Sequence, residues 1–196
     1  MDDRDPSGRK VTVESDSDLM TQVRQGRVAA LGELFERHHP ALYRFCLRMT
    51  GNRAVSEDLV QDVFMRMLKH RASFRPQTGF LPWMYRIARN AAVDHLRRSS
   101  RAPQADPDLD TRPTDLPPSD ERVVEREQAR LLRRALLELP PDRREVLLLS
   151  RYELKSYEEV AEVLGITVNN VKIRAHRAIK QLRELYQDMA DKGVTP

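Results

Sequence analysis

The stretch SYEEVAEVLGITVNNVKIRAHRAIKQLRE, residues 156–184, puts a run of acids before a lone glycine and a run of bases after it. Ser156 followed three residues later by Glu159 is a capping box: the hydroxyl takes the Glu159 amide and the carboxylate reaches back to the Ser156 amide, so a helix starts here. Val160, Ala161, Val163 and Leu164 give it an apolar face, and Gly165 supplies the positive φ that commonly ends a helix. Thr167 can cap a second helix in which Val168, Val171, Ala175, Ile179 and Leu182 recur every three or four residues. That spacing leaves Asn169, Asn170, Lys172, Ile173, His176, Arg177 and Lys180 largely outward. Between 168 and 183 stand five lysines and arginines and no acid. Two helices joined by a glycine turn, with the small Ala161 where they cross and a basic open side on the second, describe a helix-turn-helix whose second helix enters the DNA major groove. A helix hairpin with a merely solvated basic face is the commoner structure. The joint occurrence of the capping box, the Ala161–Gly165–Val171 spacing and the acid-free second helix favours DNA.

Working outward, residues 100–120, SRAPQADPDLDTRPTDLPPSD, hold five prolines and five aspartates against two arginines. Such a composition cannot repay its ordering entropy and reads as an extended linker. The pattern on either side is helical. Upstream, Leu31, Leu34, Phe35, Leu42, Phe45, Cys46 and Met49 form a stripe interrupted by Pro40 and closed by Gly51. Asn52 can cap a helix carrying Val55, Leu59, Val63, Phe64, Met67 and Leu68. After the loop FRPQTG, Pro82 suits a first helical position, and Trp83, Ile87, Ala91 and Leu96 continue the core. Downstream, Val124, Leu131, Ala135, Leu136 and Leu139 lie on a helix stopped by Pro140-Pro141. Asp142 can cap the next, with Val146, Leu147 and Leu149 inside. The expected fold is all-α: two small helical domains joined by the extended Pro/Asp-rich linker, the second containing the helix-turn-helix.

The whole chain of 196 residues fits two such domains, and its net charge of +4 is a modest excess. The clustering of bases at 84–101 and 168–183 suits a polyanionic partner. A single cysteine, Cys46, excludes an internal disulfide framework and a multi-cysteine metal site. No signal segment or long apolar run appears, so no membrane insertion is expected and the cytoplasm is the expected location. No cofactor is indicated. For an enzyme, His38-His39, His70 and His95 would have to supply a site, yet adjacent helical histidines point about 100° apart and no metal-ligand spacing or phosphate loop occurs. A stand-alone helix-turn-helix regulator is the alternative from another class, but it has no use for the first domain.

Three segments in this order and spacing carry a resemblance: AVSEDLVQDVFMRML (54–68), FRPQTGFLPWMYRIARNAAVDHLRR (74–98) and LPPDRREVLLLSRYELKSYEEVAEVLGITVNNVKIRAHRAIKQLREL (139–185). The sequence resembles the extracytoplasmic-function (ECF) group of the sigma-70 family, initiation factors built from regions 2 and 4. The resemblance implies a disordered tail at 1–15, region 2 at 16–98, a linker at 99–118, region 4 at 119–187 and a C-terminal tail at 188–196. It also implies promoter DNA and core RNA polymerase as partners, with a cognate anti-sigma factor common among members.

The residues make physical sense of those roles. Asp58, Gln61, Asp62 and Met65 fall together at i, i+3, i+4 and i+7 on a face separate from the core stripe. Two carboxylates, an amide and an adaptable methionine suit a protein interface, which the resemblance assigns to core polymerase. Arg75, Gln77 and Thr78 tip the FRPQTGF loop, and Arg86, Arg89, Arg97 and Arg98 line the helix behind it. The resemblance assigns this segment to the -10 element and to melting, where a base leaves the stack. Trp83 and Tyr85 could stack on bases, although Trp83 shares the Ile87 face and belongs to the core. Asn90 and Asp94, one turn apart, could hydrogen-bond each other. For the -35 element the same matching presents Asn169, Asn170, Lys172, Ile173, Arg174, His176, Arg177 and Lys180. Many members carry a small residue, Thr and Ser where this chain has Asn169, Asn170 and Ile173. Asparagine can read an adenine edge, whereas isoleucine can touch only a thymine methyl or sugar, so the usual -35 sequence is not implied.

Overall fold

A computed structural model describes residues 14–99, 120–154 and 156–193, without the side chains of 120–125 and 193. The linker expected at 99–118 lies almost wholly outside them, as do most of the N-terminal tail and residues 194–196. All regular structure among the described residues is helical: α1 (Asp16–Arg24), α2 (Ala30–Thr50), α3 (Arg53–Lys69), α4 (Phe80–Ser99), α5 (Asp120–Glu138), α6 (Pro141–Leu148), α7 (Tyr157–Leu164) and α8 (Val168–Gly193). The expected all-α class is what the chain adopts.

In the first group, α1 to α4 enclose a core of Leu19, Met20, Phe45, Met49, Val63, Met67, Met84 and Ala88. Asn52 caps α3 as expected, its side chain accepting from the Val55 amide at 3.0 Å, and Gly51 takes the left-handed φ of 72° that ends α2. Pro40 does not interrupt α2, which runs through it. Pro40 and Glu36, whose carbonyl loses its donor, are both exposed, so water can take that carbonyl and the helix survives. Pro82 falls in the first turn of α4, two residues after its start at Phe80, where its missing amide has no intrahelical acceptor.

In the second group, α5, α6 and α7 pack around α8. Asp142 does not cap α6: Pro140 does, with Pro141 at the first helical position and Asp142 left as an acid in the first turn. After Leu148 the helix widens into a single π turn, Leu149–Glu153. Helix α8 continues to Gly193, so most of the segment read as a tail after 187 is helical. The two groups also touch, with α5 and α6 against α2, and α7 against α4.

Candidate nucleic-acid interface

The capping box forms as the sequence predicts. The Glu159 amide donates to Ser156 Oγ at 3.2 Å, and the Ser156 amide donates to Glu159 Oε2 at 3.0 Å. Gly165 ends α7 with a φ of 65°. Thr167 Oγ1 then accepts from the Asn170 amide at 3.2 Å, which starts α8. Val171, Ala175 and Ala178 are buried beneath that helix. Their burial turns Asn169, Asn170, Lys172, Ile173, Arg174, His176, Arg177 and Lys180 to solvent. Ile173, 41% exposed, is the apolar point on this polar face. Lys180 lies 4.0 Å from Glu184; Lys172, Arg174 and Arg177 meet no carboxylate among the described residues. A cationic row on a helix, with one apolar spot and two amides, can hold phosphates and touch base edges.

The face at 58–65 is also formed. Asp58 and Gln61 are exposed, and Met65 is 65% exposed, unusual for so large an apolar side chain. Asp62 is tied to Arg66 at 2.9 Å, and Arg66 reaches on to Asp94 of α4 at 3.3 Å. These hydrogen bonds, the one to Asp62 strongest, hold the Arg66 guanidinium more firmly protonated. Asp94 therefore pairs with Arg66, and Asn90 accepts from Arg89 at 3.2 Å, rather than from each other.

The loop ahead of α4 is anchored at its base. Phe74 is fully buried edge-on to Trp83, ring centroids 5.3 Å apart, and Trp83 Nε1 donates to Ser73 Oγ at 3.3 Å. Trp83 is thus a core residue, as its spacing predicts. Arg75, Gln77 and Thr78 stand exposed above it. Thr78 Oγ1 donates to the Arg75 carbonyl, and the Arg75 guanidinium donates to the Ala72 carbonyl at 2.8 Å. Tyr85 offers no stacking surface: it is 2% exposed, its ring lies against Phe45, and its hydroxyl donates to Glu153 at 2.5 Å. Arg97 and Arg98 are exposed at the end of α4, remote in sequence from the loop tip.

The "Sigma-70 region 2" family model matches residues 34–102, and "Sigma-70, region 4" matches residues 129–182. The RNA polymerase sigma factor CarQ of Myxococcus xanthus is 37% identical over 177 residues, covering 87% of this chain and 97% of that protein. The ECF RNA polymerase sigma factor SigW of Bacillus subtilis is 30% identical over 181 residues, covering 86% and 95%. The chain belongs to the ECF group of the sigma-70 family. Among solved structures, CnrH in complex with the cytosolic domain of CnrY superposes with a TM-score of 0.67 at 27% identity, covering 89% of this chain and 99% of that one. The sigma factor RpoE of Bartonella quintana, in complex with the anti-sigma factor NepR, gives 0.64 at 25% identity, covering 80% and 96%. The protein is accordingly an RNA polymerase sigma factor, with core polymerase and promoter DNA as its partners.

Sequence reasoning missed the acids that the second half of this sigma factor brings to the first. Arg89 forms a fork with Glu145, Nε to Oε2 at 2.7 Å and Nη2 to Oε1 at 2.9 Å, and the Glu145 side chain is 1% exposed. That hydrogen-bonded pairing raises the Arg89 pKa further above its ordinary value. Arg86 Nη2 donates to the Glu162 carbonyl at 2.8 Å and lies 3.4 Å from its carboxylate. Arg144 is buried, and its guanidinium donates to Met49 O at the end of α2 and to Leu137 O and Leu139 O at the end of α5. It thereby satisfies carbonyls that helix ends otherwise leave bare. Burial pulls its pKa down to about 10, so it stays charged at neutral pH. One signal was available: Arg144 and Glu145 stand one turn before the buried Leu148 and Leu149, and so share faces with the core.

Proposed function

We propose that this sigma factor directs promoter-specific initiation with a division of labour along the chain. Residues 16–98 engage core polymerase and the -10 element, 99–118 link, and 119–187, with the rest of α8, engages the -35 element. Asp58, Gln61, Asp62 and Met65 form the polymerase contact, in which the carboxylates steer encounter and Met65 supplies apolar area. Arg75, Gln77 and Thr78 hold an unstacked -10 base while Arg86, Arg89, Arg97 and Arg98 take phosphates, which assists melting. On α8, Lys172, His176 and Arg177 face the groove, with Arg174 and Lys180 toward phosphates. Ile173 favours a thymine methyl, and Asn169 and Asn170 an adenine edge or a phosphate.

The observation that carries the reading is the exposed face of α8 over residues 168–183, which holds no acid and is started by Thr167 immediately after the capped α7. By likeness to the two solved relatives, one held by an anti-sigma factor and the other by the cytosolic domain of CnrY, we infer a protein inhibitor for this chain as well. Its site of action is then the cytoplasm, where polymerase and promoter meet.

The test is reconstitution. Purified core polymerase plus this chain should open the DNA upstream of its own gene, read as permanganate-reactive thymines near the start site. Asp58→Arg with Asp62→Arg should abolish co-purification with core. An unopened duplex with bound holoenzyme would overturn the melting assignment, and undiminished co-purification would remove the polymerase face.

A further inference from the structure

Helix α8 carries one apolar side chain where its surroundings call for a polar one. Ile173 is 41% exposed, and at about 100° per residue it stands roughly 170° from the buried line of Val171, Ala175 and Ala178. It is therefore the centre of the open face, within about 60° of the exposed Asn169, His176, Arg177 and Lys180. An isoleucine there gains nothing from water and has no donor or acceptor to offer a base edge. Laid against a base nitrogen or oxygen, it would strip water from that atom without replacing the hydrogen bond. The apolar group that a major groove displays is the methyl on C5 of a pyrimidine.

We propose that Ile173 reads the C5 methyl group itself at one position of the -35 element, so that thymine and 5-methylcytosine are equivalent to it and each is preferred to its unmethylated counterpart, uracil or cytosine. The inference rests on the assignment of α8 to the -35 duplex. Thymine and 5-methylcytosine differ at C4, where one carries an oxygen and the other an amino group, and an aliphatic side chain has no means of telling these apart. Covering one methyl group is worth about fourfold in affinity. Cytosine methylation at that base therefore strengthens the promoter without any change of sequence.

The test uses the full chain on core polymerase. Duplexes selected from a random-sequence pool should carry a thymine at a fixed place in the -35 stretch, the upstream of the two recurring elements. Uracil at that place should weaken binding about fourfold. With the pair exchanged for C·G, 5-methylcytosine should bind about fourfold more tightly than cytosine. Each comparison changes one methyl group and leaves every hydrogen-bonding edge in place, so the polar neighbours of Ile173 cannot produce it. Ile173→Ser, at an exposed site where substitution spares the fold, should erase both differences, and Ile173→Val should keep them. Differences that survive in Ile173→Ser, or that never appear in the unaltered chain, would overturn the proposal and leave α8 reading the -35 element through its polar side chains. A uracil effect without a 5-methylcytosine effect would overturn the equivalence. A pool that yields no recurring upstream stretch would remove the -35 assignment and the proposal together.

Discussion

Helices α4 and α8 both carry rows of arginine and lysine, yet their surroundings differ. On α8, Lys172, Arg174 and Arg177 project into solvent from a helix with no acid before Glu184. On α4, Arg86 and Arg89 are met by Glu162 and Glu145, which lie 76 and 56 residues away in the chain. The same side chain is therefore a free cation in one place and half of an internal ion pair in the other. Composition describes the charge an element carries; only the tertiary fold decides what neutralises it.

The sharpest way to break that contrast is to remove one arginine from each helix. Arg89→Ala strands a carboxylate that is 1% exposed, and urea denaturation should show a loss of about 3 kcal/mol. That figure is the low end for such a pair, because Arg89 itself is partly exposed. A loss below about 1 kcal/mol with packing unchanged would mean that Glu145 finds another donor. Arg177→Ala should leave stability within about 0.5 kcal/mol, since the side chain meets no carboxylate among the described residues. It should instead weaken promoter binding by about 1–3 kcal/mol if it reads a base, and less but uniformly over sequences if it holds a phosphate. Either role requires a steep decline of affinity with salt. An affinity insensitive to salt would remove Arg177 as a contact.

A smaller effect separates the turn from the helix that follows it. Gly165 holds a φ of 65°, and an added Cβ would meet nothing within 4 Å. Gly165→Ala should therefore cost only the backbone conformation, about 1 kcal/mol, and lower the melting temperature without altering salt dependence. The smallest effect concerns acid. Burial, chiefly, raises the Glu153 carboxyl above its ordinary 4.5 in the folded chain, although the Tyr85 hydroxyl and Arg48 pull the other way. Between 4.5 and that raised value the folded state binds more proton than the unfolded state. Stability from this group therefore grows as pH falls through that window and is lost as pH rises. Glu153→Gln should flatten the slope there, as thermal melts at a series of pH values would show.

Much of the molecule was legible because its signals are local. Ser156 with Glu159, Asn52 before Val55, Gly51 and Gly165 each set a boundary by interactions within four residues, and each formed as predicted. The outward face of α8 was legible for the same reason, since Val171 and Ala175 fix which side is buried. The misreadings arose where local rules compete with context. Pro40 was expected to interrupt the stripe that α2 carries, but solvent on that side lets the helix continue. Asp142 had the composition of a cap, but Pro140 and Pro141 begin the helix first. Tyr85 read as a stacking aromatic until Glu153 claimed its hydroxyl from across the fold. No spacing rule reports a partner 68 residues away.

The Arg144 guanidinium sets how the halves can move. It grips the last turn of α2 and the C-terminal end of α5 together, through Met49 O on one side and, on the other, Leu137 O and the carbonyl of Leu139 just past the helix. A hydrogen bond tolerates only a few tenths of an ångström of slack before it weakens. Gradual sliding of one half across the other would strain this fork from its first step. Any relative displacement of the two groups therefore requires Arg144 to let go of one helix end, leaving bare the carbonyls it now satisfies.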